Sequence, residues 1–128
     1  MQMIVRNPIE GIYAATPDYV HAMEVVGAQR LLFISGTMGL DAAGRPPERL
    51  EAQLTLIWSN LRRILAEAGM TIANVVRVTS YLREVAFAEA NQQARLDALG
   101  DHRIPTTAIV VATLSPDWLV EVEAVAAG

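Results

Sequence analysis

From Leu50 onward the apolar positions step by four and three, through Leu54, Ile57, Leu61, Ile64, Leu65 and Ala68. That spacing draws one stripe along a helix. Pro46-Pro47 ahead of it and Gly69 behind it mark where the helix starts and stops. Residues 74–82 are rich in Val, Thr and Tyr and read as a strand, whereas residues 87–99 are rich in Ala, Glu and Gln and read as a second helix ending at Gly100. Upstream, the short apolar runs 20–26 and 31–35 are separated by Gly27-Ala28-Gln29-Arg30, which predicts a hairpin of strands followed by a loop over 36–46. Downstream, residues 106–114 and 118–126 are strands on either side of a Ser115-Pro116-Asp117 turn.

The resulting order, β-β-β-α-β-α-β-β, predicts an α+β domain. Its six-stranded mixed sheet would carry two helices placed together on one face by right-handed crossovers. Neither an internal repeat nor a linker interrupts the pattern, so residues 1–128 are expected to form a single domain. The other sheet face is then bare, although the strand over 106–114 is apolar on both sides. Ala108, Val110, Ala112 and Leu114 lie on one side, and Ile109 and Val111 lie between threonines on the other. A strand of that kind implies that another subunit covers the second face.

Composition narrows the chemistry. Hydrophobic residues make up 52% of the chain, a high share for one small domain, and the excess is expected to meet another copy. The net charge of −4 and the scattered arginines provide no basic stripe for a phosphate backbone, so nucleic acid is not an expected partner. No apolar run is long enough to cross a bilayer and no signal-peptide pattern opens the sequence, so no membrane partner is expected and a cytoplasmic location is. Cysteine is absent, which excludes disulfides and thiolate chemistry; lysine is absent too, which excludes Schiff-base catalysis and pyridoxal phosphate held through lysine.

Few reactive groups remain. His21 and His102 stand alone and match no metal-ligand spacing, so no metal is expected. Gly36, in Ser35-Gly36-Thr37, reads either as a tight turn after a strand or as a place where backbone approaches a ligand. Glu121 and Glu123 alternate with Val120, Val122 and Ala124, so both carboxylates share the face opposite the valines. Solvated glutamates are the ordinary reading. In a covered seam they would instead be paired with arginine or shifted toward the range of a general acid. Arg103, before Pro105, is either a solvated loop charge or a bidentate carboxylate ligand in an inter-subunit cleft.

Taken together, several segments resemble the RidA (YjgF) family. They are the run 119–126 (LVEVEAVA) behind a Leu-Ser-Pro turn, the Pro105 segment, Phe-Ile-Ser-Gly at 33–36, and the Gln53 and Asn60 helix ending in Ala68-Gly69. Tyr-Leu-Arg-Glu at 81–84, followed by Phe87 and Asn91, completes the match, which runs in order through nearly the whole chain. The resemblance implies a chorismate-mutase-like fold, a homotrimer, and three inter-subunit clefts that hydrolyse imines and enamines such as 2-aminoacrylate without a cofactor. It also implies a small-molecule ligand and assigns roles residue by residue. Tyr19, with His21 and Ala22 after it, matches the substrate-side tyrosine, and Gly36 matches the glycine whose backbone meets ligand. Asn91 matches the asparagine after the phenylalanine, and Glu121 matches the glutamate that positions water.

One position departs from the pattern. The family's Pro-Ala-Arg-Ser/Thr is Pro105-Thr106-Thr107-Ala108 here, and the cysteine often found two residues beyond the arginine is Ile109. The substrate-clamping guanidinium is replaced by Thr107. A charge-assisted hydrogen bond contributes roughly 1.5–3 kcal/mol, so a small 2-imino acid would be held poorly unless Arg103 reaches the same spot. Two functions fit: a deaminase or related hydrolase acting on something other than 2-aminoacrylate, and a non-catalytic trimer that binds a small metabolite.

Overall fold

The computed structural model describes all of residues 1–128. In chain order the elements are β1 (Gln2–Val5), β2 (Met23–Val26), β3 (Leu31–Met38), α1 (Leu50–Glu67), β4 (Val75–Leu82), α2 (Ala88–Leu99), β5 (Thr106–Val110) and β6 (Val120–Ala127). Both helices stop where a glycine permits a positive φ. Gly69 at +68° and Gly100 at +59° return their N–H groups to the last helical turn, onto Ala66 and Leu96.

The strands do not form one sheet of six. β3-β6-β4-β5 form a mixed sheet of four, and β1 and β2 pair separately as an antiparallel pair. The expected hairpin between residues 20–26 and 31–35 is therefore corrected: β2 pairs with β1 and β3 pairs with β6. At the start of β3 it is the chain end that supplies the partner, since the N–H of Arg30 donates to the Gly128 carbonyl at 2.8 Å and that of Gly128 donates back at 3.0 Å. β5 is also shorter than expected and stops at Val110. Beyond it, Arg83 Nη1 donates to the carbonyls of Thr113 at 2.9 Å and Ser115 at 3.3 Å, and so ties the segment down as a loop.

β6 is central and its alternation is clean. Val120, Val122, Ala124 and Ala126 are buried against Leu54, Ile57, Trp58, Leu61 and Leu65 of α1, with Leu99 of α2 and Val78 and Leu82 of β4 in the same core. Both helices thus cover one face, as the sequence predicts. The other face carries no helix. Directly paired residues of a sheet point the same way, and Thr79 sits opposite both Thr107 and Glu123, while Tyr81 sits opposite both Ile109 and Glu121. Arg77, Thr79, Tyr81, Thr107, Ile109, Glu121 and Glu123 therefore share the uncovered face, together with Phe33, which is 73% exposed.

Two polar or backbone contacts fix α1 against the sheet. Gln53, fully buried, donates through Nε2 to the Pro47 and Asp117 carbonyls at 2.8 Å and accepts from the Leu119 N–H at 3.0 Å, so its amide is satisfied while it joins the helix start to the entry of β6. Gly39 lies against the backbone of Gln53: a Cβ there would come within 2.6 Å of the Gln53 Cα. Gly39→Ala is expected to destabilise the chain by about 1–3 kcal/mol, measured as a lower midpoint in urea unfolding. Gly36→Ala, whose methyl would meet only the movable end of Glu121, is expected to cost clearly less in the same measurement.

Candidate functional site

β3 carries one extra residue against β6. Ile34 pairs with Ala124 and Thr37 with Val122, so Ser35 and Gly36 together oppose a single position, that of Glu123. The bulge turns the Gly36 backbone against the neighbouring carboxylate, and a Cβ at Gly36 would stand 2.8 Å from Glu121 Cδ. Gly36 and Glu121 are thus one structural unit. What the missing side chain admits in this chain is Glu121.

The two glutamates differ. Glu123 accepts a 2.5 Å hydrogen bond from the Tyr81 hydroxyl, whereas Glu121 takes no hydrogen bond or ion pair from its own chain and rests on the Gly36 backbone. The bond to Glu123, helped by desolvation and the nearby negative charge, raises the Tyr81 phenol above its ordinary 10.0.

At the other side of the sheet, Tyr19, Asn91 and Thr107 line one cavity of about 250 Å³ with Ser80 and Arg95. Asn91 and Ser80 are almost completely buried there. The loop that delivers Tyr19 is anchored by an ion pair the sequence does not reveal: Arg95 of α2 donates through Nη1 to the Asp18 carbonyl and through Nη2 to its carboxylate, both at 2.9 Å. Arg95 is nearly buried, its side chain 7% exposed. Burial pushes the Asp18 carboxyl upward, but hydrogen bonds from the Thr16 hydroxyl, from Arg95 and from its own backbone N–H outweigh it and hold the group below 3.8. His21 completes the loop, with its ring edge-on to Tyr13 and Tyr19 and Nε2 2.8 Å from the Tyr13 carbonyl.

The sequence-predicted residues therefore fall into three places in one chain. Tyr19, Asn91 and Thr107 are together, Gly36 and Glu121 are together on the β3 side, and Arg103 is apart. Arg103 donates through Nε to the Pro17 carbonyl at 2.9 Å and through Nη1 to that of Gly100, and it lines a cleft with Thr16, Asp18 and Gln92. Its bonds clasp the loop. The guanidinium beside Thr107 is Arg77, whose Nη2 donates to Thr107 Oγ1 at 2.9 Å. The alternation Arg77, Thr79, Tyr81 facing Thr107 was the signal available for it. No such signal exists for Asp18 and Arg95, which lie 77 residues apart. No three His, Asp or Glu side chains converge as metal ligands, and no helix is long and apolar enough to cross a membrane.

A mixed sheet with two helices on one face, a bulged Ser-Gly strand and a glutamate on its central partner define an α+β domain of the YjgF type. The sequence model of the family described as Endoribonuclease L-PSP matches residues 10–128. A Yersinia pestis protein of unknown function from the conserved Rid family superposes with a TM-score of 0.82 at 30% identity, over 100% of both chains. A RutC family protein of Pyrococcus horikoshii is 28% identical over 80% of this chain and 83% of its own length. A RutC family protein of Aquifex aeolicus is 38% identical over 76 residues, 58% of each chain, so the match spans less than two thirds of that relative. This chain belongs to the RidA/YjgF family.

Two titrations follow from these contacts. Tyr81 should ionise later than the other tyrosines in an absorbance titration at alkaline pH, and Glu123→Gln should bring it back toward 10.0. Because the Asp18 carboxyl is lower in the folded chain than in the unfolded one, its stabilisation is complete above 3.8 and lost as pH falls through the folded value. Unfolding midpoints measured down the acid limb should fall less steeply for Asp18→Asn than for the parent.

Proposed function

We propose that the chain works as a homotrimer acting on a small metabolite in clefts between subunits. The chemistry we assign is cofactor-free hydrolysis of an imine or enamine other than 2-aminoacrylate. The observation that carries this reading is Glu121, a carboxylate without a partner in its own chain, packed on the Gly36 backbone on an uncovered sheet face. The strand order β3-β6-β4-β5 puts Gly36 on one edge strand and Thr107, with the Tyr19 cavity, on the other. A head-to-tail rotation that sets the β3 side of one copy against the β5 side of the next would unite the two groups, and a rotation of one third of a turn closes such an interface into a ring of three. Phe33, Ile109 and Val111, all exposed in one chain, supply its apolar contact.

In such a cleft an enamine first tautomerises to its imine; Glu121 then takes a proton from water as the oxygen attacks the C=N carbon, and the protonated carboxyl returns that proton to the nitrogen. The carbinolamine then collapses to a carbonyl compound and ammonia. A positioned general base contributes about 10²–10⁴-fold. The net charge of −4 favours a metabolite over RNA as ligand, whatever the endoribonuclease description of the family model. Thr107 in place of arginine favours a second reading, a trimer that binds its metabolite without turnover.

Ammonia release from a panel of imino acids and enamines separates the two. Glu121→Gln is expected to lower kcat about 100-fold or more with little change in KM, and ammonia release from none of the panel by the parent chain would leave the binding reading. Light scattering should give three chains per particle, and Phe33→Glu should shift it toward single chains.

A further inference from the structure

Of the ten arginines, three are in ion pairs, Arg6 with Glu24, Arg49 with Glu51 and Arg95 with Asp18. Arg30, Arg83 and Arg103 donate to backbone carbonyls. Arg45, Arg62, Arg63 and Arg77 do neither, and of these four only Arg77 stands on a strand. It projects from β4 onto the uncovered sheet face, has no carboxylate within 4.0 Å, and makes one side-chain hydrogen bond, to Thr107 Oγ1. It also lines a cleft of about 340 Å³ on that face with Ser35, Thr79 and Glu123, whose carboxylate is held by the Tyr81 hydroxyl.

The direction of that bond matters. A hydroxyl that accepts from a guanidinium cannot aim its own proton back at it, so the Thr107 O–H must donate elsewhere. The guanidinium keeps its other N–H groups. Arg77 and Thr107 therefore present a cation and two kinds of donor side by side, with no carboxylate of their own chain within 4.0 Å of the guanidinium, an arrangement that suits a planar carboxylate.

We propose that Arg77 is the anion-binding residue of this site, holding the carboxylate of a small organic acid together with the Thr107 hydroxyl. The inference rests on the reading that ligand sits on this sheet face. It places the cation on β4, reaching toward Thr107 from the neighbouring strand, so the carboxylate lies nearer the centre of the sheet than a guanidinium rooted at position 107 would hold it. That displacement accounts for how a chain without arginine at 107 still anchors an acid.

The test is calorimetric titration of the full chain with pyruvate and with its uncharged amide, pyruvamide, in the parent, Arg77→Gln, Arg77→Lys and Thr107→Val. Pyruvate should bind the parent at least tenfold more tightly than pyruvamide. Arg77→Gln should weaken pyruvate tenfold or more and leave pyruvamide within twofold, Arg77→Lys should recover part of the loss, and Thr107→Val should weaken pyruvate by a smaller factor. Equal binding of acid and amide by the parent, or unchanged pyruvate affinity in a folded Arg77→Gln, would overturn the proposal. If Arg77→Gln does not fold, pyruvate binding by Thr107→Val decides, and affinity equal to the parent's counts against it. Arg77-dependent pyruvate binding without ammonia release from any imine would support the anchor and remove the deaminase reading alone.

Discussion

β6 is hydrogen-bonded on both sides, to β3 and to β4, so its pleat decides which way the side chains of three strands point. Its inward set, Val120, Val122, Ala124 and Ala126, is packed under both helices, and its outward set includes Glu121 and Glu123. A slip of one residue would bury two carboxylates and expose four apolar side chains. Uncompensated burial of a carboxylate alone costs several kcal/mol, so the register has one stable solution. Through the ladder it also fixes Thr79, Tyr81 and Thr107 on the glutamates' face. The candidate residues Thr107 and Glu121 are placed by the same alternation that builds the core.

Around that frame several arginines hold loops in place, and Arg77 instead stands on the uncovered sheet face. Arg95 fastens the loop bearing Tyr19 to α2 through Asp18, Arg83 holds the segment after β5, and Arg103 joins Pro17 to Gly100. These three act on loops because loop carbonyls have no ladder partner and a guanidinium offers several donors at once. Arg77 stands on a strand whose backbone is already paired on both sides. Its side chain is left to the sheet face and to Thr107.

The kinship with Rid and RutC proteins rests on fold and sequence over nearly the whole chain, yet Thr107 stands where the resemblance implies a substrate-clamping arginine. A sheet face tolerates such a change because neighbouring strands lie only about 4.8 Å apart. A long side chain on β4 reaches the place a side chain on β5 has vacated. Gly36 shows the same economy from the other direction, since omission of one Cβ makes room for Glu121.

Periodicity alone determined both helices to within a residue or so at each end and the inward and outward sets of β6, because each depends on the side-chain repeat of a single segment. Strand alternation and loop position picked out Gly36, Glu121, Glu123 and Arg103, and resemblance to the family added Tyr19, Asn91 and the altered position Thr107. Tertiary structure decided the pairing. β2 paired with β1 and β3 with the C-terminal strand β6, and a local turn signal at Gly27 cannot report a partner about a hundred residues away. It decided the cations as well: Arg103 went to loop carbonyls, and Arg77 went to Thr107 across a parallel ladder formed only when α2 returns the chain beside β4. Contacts between residues 30 or 77 positions apart leave no periodic trace in a sequence, since nothing in either local segment changes when they form.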